Sequence, residues 1–242
     1  MNKYEMLQDD KIEIEGHTHY RIKALKDFGN VEAGDIGGYI EKEENLSQEG
    51  TCWVYDSARV CGNARVFDDA CIYDDARVYG TARVSDSAWV FGNARVYGNA
   101  WVYGNAKVYG DAWVSNRAQI CGDAKVYGDA WVCGNAWVYG NAKVYGNAKV
   151  YGDAWVYGNA WVHGDALISK INDILCVANI GSRNDTTTFF KTKDNKIGVK
   201  CGRFTGTIDD FLEAVNETHG ENKHAKAYKL ACELARVQIL ED

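Results

Sequence analysis

Proline is absent from this 242-residue chain, so no Pro-rich linker divides it. No apolar run is long enough to cross a bilayer as a helix, which excludes a helical membrane anchor. Positive charge is in deficit: 27 Lys and Arg stand against 34 Asp and Glu, a formal charge of -7. That balance argues against a protein built to neutralise nucleic-acid phosphates. The eight cysteines include no CxxC pair, which fits reduced thiols in a cytosolic protein better than a disulfide or zinc framework. The opening MNKYEMLQDD is too polar for a signal peptide, so the expectation is a cytoplasmic protein, long enough to bury a substantial core.

What is present is repetition. A six-residue phrase runs without insertion from Cys52 to Ile168. Every sixth residue from Val54 is Val, or Ile at 72, 120 and 168, and two places before each stands Ala, with Cys52 the variant. Ala-x-Val places two small apolar side chains on one face of a short strand, facing a narrow core. An amphipathic helix would need apolar spacings of three and four, which a strict six does not supply. The second residue after Val is Gly fourteen times, Asp at 56, 68, 74 and 86, and Asn at 116. These types tolerate a left-handed backbone, so each phrase is predicted to end in a tight bend with positive φ. Strand and bend in alternation describe a solenoid.

Runs such as ARVYGNAWVYGN resemble the hexapeptide-repeat β-solenoids. The stretch GDIGGYIEKEENLSQEGTCWVYDSARV (34–60), leading into such phrases, resembles the YdcK-like group of bacterial and prophage proteins. The fold expected is mainly β: a left-handed parallel β-helix of about eighteen residues per coil, with a small C-terminal α/β domain. Residues 1–45 read as an N-terminal cap, 46–169 as the solenoid, and 170–242 as an α/β domain of three strands and two helices. In that domain Thr207 is the N-cap of a first helix closed by Gly220, and a second helix over 222–237 buries Tyr228, Ala231, Leu234 and Ala235.

Many hexapeptide solenoids are acyltransferases and some are zinc-dependent, chemistries that need histidine as a base or as ligands. Here the repeat carries one histidine, His163, at an outward ring position. His17 and His19 share a strand face and lack an evident third ligand, so no metal, cofactor or catalytic residue is assigned. The outward positions favour a binding protein instead. Eight Trp occupy the slot between Ala (or Cys52) and Val, and one corner stacks Tyr55, Tyr73, Phe91, Tyr109, Tyr127, Tyr145 and His163. A neighbouring stripe reads Arg59, Arg77, Arg95, Trp113, Trp131, Lys149. The ring corner is read as a surface for a protein partner or a second copy, or else as a ladder that stabilises the coils alone. Acids beside the basic stripes argue against duplex nucleic acid.

The loop IGSRNDTTTFF offers Ser182, Arg183 and Asn184 as an anion site, for a nucleotide phosphate or another anion, or else it is an ordinary hairpin turn. Cys201 is a candidate nucleophile, or a buried strand thiol. The functional expectation is a non-catalytic, phage-type binding protein, an inhibitor of a host defence component acting in the host cytoplasm. That last step rests on the resemblance alone. A self-assembling scaffold and an acyltransferase with an inter-subunit pocket are the alternatives.

Overall fold

The computed structural model describes residues 2–14 and 16–241. Twenty two-residue strands, from Trp53–Val54 to Leu167–Ile168, form the rungs of a parallel β-solenoid. Each rung pairs in parallel with the rung eighteen residues on, Arg59 with Arg77 and Val60 with Val78, for example. The rungs therefore sort into three sheets, two with seven rungs and one with six. The Ala and Val (or Ile) of every phrase from Val54 to Ile168 are buried, so the interior is a column of small apolar side chains. The predicted bends are present. All nineteen corner residues have positive φ, from Asp56 at 50° to Gly164 at 60°.

Aspartate at a corner does more than tolerate that conformation. Asp74 Oδ2 accepts from the Gly92 amide at 2.8 Å, and Asp86 Oδ2 accepts from the Gly104 amide at 2.9 Å. The side chain thus ties one coil to the next through an amide that a glycine corner leaves without a side-chain acceptor.

The open ends of a solenoid expose unpaired strand edges. At the first end, β1 (Tyr4–Ile14) and β2 (His17–Ala24) form an antiparallel hairpin, and β3 (Ile36–Ile40) pairs with β2. β3 then pairs in parallel with the Arg59–Val60 rung, so the hairpin extends one solenoid sheet to ten strands. The buried Lys3 ammonium donates to the carbonyls of Cys52 (3.0 Å) and Glu49 (3.2 Å). Asn45 Nδ2 donates to those of Gly62 and Ala64. Trp53, in a slot that faces outward elsewhere, is only 1% exposed here, because Tyr4 and Phe28 pack edge-on against its ring.

At the other end, β4 (Ile174–Ile180), β5 (Asp185–Lys191), β6 (Ile197–Cys201) and β7 (Phe204–Thr207) form an antiparallel sheet. The fourth strand departs from the three-strand expectation: Gly202 at φ 53° turns the chain back after β6. Thr207 caps α1 (Ile208–His219), donating from its amide to Asp210 Oδ2 at 2.9 Å while its Oγ1 accepts from the Asp210 amide. α2 (Lys223–Leu240) runs three residues past its expected end. Its buried stripe is Tyr228, Ala231, Cys232, Ala235 and Ile239, which turns Leu234 outward to 52% exposure, contrary to expectation. No helix among the described residues is long and apolar enough to cross a membrane.

Candidate functional site

The N-terminal hairpin does more than close a sheet edge, for it sets two histidines beside the arginine stripe. A cleft of about 360 Å³ lies between the hairpin and the first coils. β2 and the segment after β3 supply His17, His19 and Glu41 to its wall, and the rungs supply Arg59, Arg77 and Arg95. Alternation along β2 puts both imidazoles on one face. His17 Nδ1 lies 2.9 Å from Glu41 Oε1, and His19 Nδ1 lies 3.1 Å from the His17 carbonyl. A carbonyl and a carboxylate accept only, so in the neutral rings Nδ1 carries the proton and Nε2 the lone pair.

Glu41 is itself held. Its Oε2 accepts from the Gly62 amide at 2.5 Å, and this bond, aided by His17, keeps the carboxyl below the usual glutamate range. It is therefore ionised at neutral pH and accepts from His17 Nδ1. The three arginines pair rung to rung in one sheet. None has an ion-pair partner among the described residues, and Arg95 instead lies 4.8 Å from the Trp113 ring centre. Three guanidinium groups against one carboxylate give the lining of the cleft an excess of positive charge.

The other candidates fall elsewhere. In the ring corner, Tyr55 stacks on Tyr73 at 4.3 Å, and Phe91, Tyr109, Tyr127 and Tyr145 stack in series at 4.6–4.9 Å. No ring contact joins Tyr73 to Phe91 among the described residues; Tyr73 lies 5.7 Å from Trp89 instead. The series ends on His163, which sits between Tyr145 (5.2 Å) and Phe190 of β5 (5.1 Å). Its Nε2 is buried without a partner, and burial, with the nearby Lys200, lowers its pKa. The seven rings are half-buried, whereas Trp89, Trp101, Trp131, Trp137, Tyr151, Trp155 and Tyr157 are the more exposed aromatics of the rod. Similar stacks occur at other corners, Tyr79 on Tyr97 and Tyr139 on Tyr157, so the rings satisfy one another within the chain.

Ser182 and Arg183 line a small cleft of the C-terminal unit together with Cys201, while Asn184, at φ 48°, forms the turn and does not line it. The Cys201 thiol accepts from Thr187 Oγ1 at 3.2 Å and lies 3.5 Å from the Tyr228 hydroxyl. No group of three or more His, Cys, Asp or Glu suited to a metal ion occurs among the described residues.

Comparison with known proteins places this rod. The family model for the YdcK β-solenoid repeat matches residues 58–74, 88–104, 118–134 and 148–164. A curated relative, named "Uncharacterized acetyltransferase YdcK", from Escherichia coli (strain K12), is 44% identical over 52 residues. That match covers 19% of this chain and 16% of the relative, about a sixth of its length. The match corrects the expectation of a non-catalytic, phage-type inhibitor of host defence. The relative is named as an acetyltransferase, and neither comparison carries a phage or defence function. With the parallel rungs, the glycine corners and four repeat matches in hand, the rod of this chain is a YdcK-like repeat β-solenoid.

Proposed function

We propose that the chain is an acyltransferase whose site is the cleft between the N-terminal hairpin and the arginine stripe. The observation that carries this reading is the Glu41–His17 pair, 2.9 Å apart and beside three arginines free of acidic partners. The name of the relative supports the same reaction class.

Acyl transfer from a thioester needs a nucleophilic acceptor relieved of its proton as it attacks the carbonyl. His17 Nε2 takes that proton from an amine or hydroxyl acceptor, and the Glu41 carboxylate stabilises the imidazolium that forms. The proton then passes to the leaving thiolate. Arg59, Arg77 and Arg95 hold phosphates of the acyl carrier, a role suited to guanidinium groups whose forks match phosphate oxygens. Glu41 needs no rearrangement to act, since the Gly62 amide already fixes it.

The test is turnover of acetyl-coenzyme A with a panel of primary amines and sugar hydroxyls, followed by chromatography of free coenzyme A. His17→Ala is expected to lower kcat by about 10²–10⁴-fold, the usual range for a general base. Arg77→Ala is expected to raise KM for the donor with kcat little changed. Absence of turnover across the panel, or an undiminished rate in His17→Ala, would overturn the proposal.

A further inference from the structure

The C-terminal unit holds a second cleft, of about 190 Å³, between the β4–β5 turn, the β6–β7 turn and the two helices. Its rim carries two guanidinium groups from separate turns, Arg183 and Arg203, with the imidazole of His219 also on the wall. No carboxylate lines it, and neither arginine has an ion-pair partner among the described residues. The inner wall is aromatic, with Phe211 5.1 Å from Phe204 and 5.2 Å from Tyr228.

Both turns are shaped around groups that line this space. Gly181 has φ 75°, and a Cβ there would overlap the Tyr228 hydroxyl. Gly202 has φ 53°, and a Cβ there would stand 2.7 Å from Arg183 Nη1. Each glycine therefore makes room for one lining side chain besides supplying the bend.

We propose that this cleft binds a small organic phosphate, with Arg183 and Arg203 on the phosphate oxygens and the Phe204–Phe211 wall against the organic group. Guanidinium groups arriving from two separate turns suit a tetrahedral dianion, which offers acceptors in several directions, better than a flat carboxylate that one fork satisfies. The volume sets the size of the ligand. It lies below the roughly 300–1,000 Å³ of sites for drug-sized molecules, so a phosphate on a single ring fits where a whole nucleotide does not. The site stands apart from the acyl-transfer cleft, and neither reading depends on the other.

Phenyl phosphate is the probe, with phenol and inorganic phosphate as its two halves, all against the full chain. Line broadening in ³¹P NMR reads binding directly. Alkylation of Cys201 by iodoacetamide, followed by peptide mass mapping to separate it from the other thiols, reads occupancy of the same cleft. Phenyl phosphate is expected to broaden saturably and to slow Cys201 alkylation, phenol to do neither, and inorganic phosphate to bind more weakly than the ester. Arg183→Ala with Arg203→Ala should move the midpoint upward by at least about tenfold, the loss of one to two charge-assisted contacts. Both side chains are exposed, so the variant keeps its core; Gly202→Ala, which displaces Arg183, is the second variant and should weaken binding in the same direction. Absence of saturable broadening overturns the proposal, as do equal binding of phenol or of inorganic phosphate, or undiminished binding in the double variant.

Discussion

Replacing Gly122 with Ala and, separately, with Asp tests how the corners hold successive coils together. Gly122 has φ 67°, and a Cβ there would stand 3.0 Å from the Gly140 amide nitrogen and 3.1 Å from its carbonyl oxygen. An L-residue in the left-handed region costs about 1–2 kcal/mol. The tight approach adds to that, and the lost freedom of the unfolded chain returns about 0.4–1 kcal/mol. Gly122→Ala should therefore destabilise by about 1–2 kcal/mol, or roughly 2–8 °C in Tm for a chain of this size. Aspartate meets the same backbone but enters the left-handed region more readily. At the corners it already occupies, its carboxylate accepts from the corner amide of the next coil, as Asp86 does from Gly104 at 2.9 Å. An exposed bond of this kind contributes about 1 kcal/mol, so Gly122→Asp should fall within about 0.5 kcal/mol of the parent. Guanidinium unfolding followed by tryptophan fluorescence reads both, compared at equal m so that the midpoints report stability. Equal losses in the two variants would refute the role given to the aspartate bond. No loss in Ala would refute the steric account of the corner.

Tyr109→Ser combined with Tyr127→Ser removes three stacked contacts, Phe91–Tyr109, Tyr109–Tyr127 and Tyr127–Tyr145. At about 0.5–1.5 kcal/mol per aromatic pair the loss should be about 2–4 kcal/mol, read by thermal melting, and an unchanged melt would show that the stack adds nothing. His163 is held neutral by burial, with a folded pKa below the ordinary histidine value of 6.5. The unfolded chain therefore binds the extra proton first: the stability that His163 contributes is complete above pH 6.5 and is lost as pH falls from there through the folded pKa. His163→Phe should abolish that part of the pH dependence, and an unaltered slope of stability against pH would refute the assignment.

The rod was legible in the chain because its rules are local and repeat. Ala and Val two apart specify one buried face, as Ala136 and Val138 show, and Gly, Asp or Asn after them specifies the left-handed corner. Each phrase meets a copy of itself eighteen residues on, so a local rule becomes a tertiary contact by repetition alone. The caps of α1 were legible for the same reason, since Thr207 and Asp210 bond each other within one turn. The candidate site was legible only in halves. The stripe of Arg59, Arg77 and Arg95 follows from the period, and the shared face of His17 and His19 follows from strand alternation. What joins them is the pairing of β3 with the Arg59–Val60 rung and of β2 with β3, which brings Glu41 to His17 and the hairpin over the stripe. Residues 1–45 do not repeat, and no period sets the register of their strands. That register depends on which apolar groups the end of the rod leaves uncovered, and Tyr4 and Phe28 cover Trp53 there. The same reason turned Leu234 outward. Helical spacing alone allows several faces of α2 to be buried, and the choice fell to the surface of the sheet it packs on. Sequence alone determined the repeating rod, where each contact is a copy of its neighbour; only the tertiary structure decided the clefts, where unlike segments meet once.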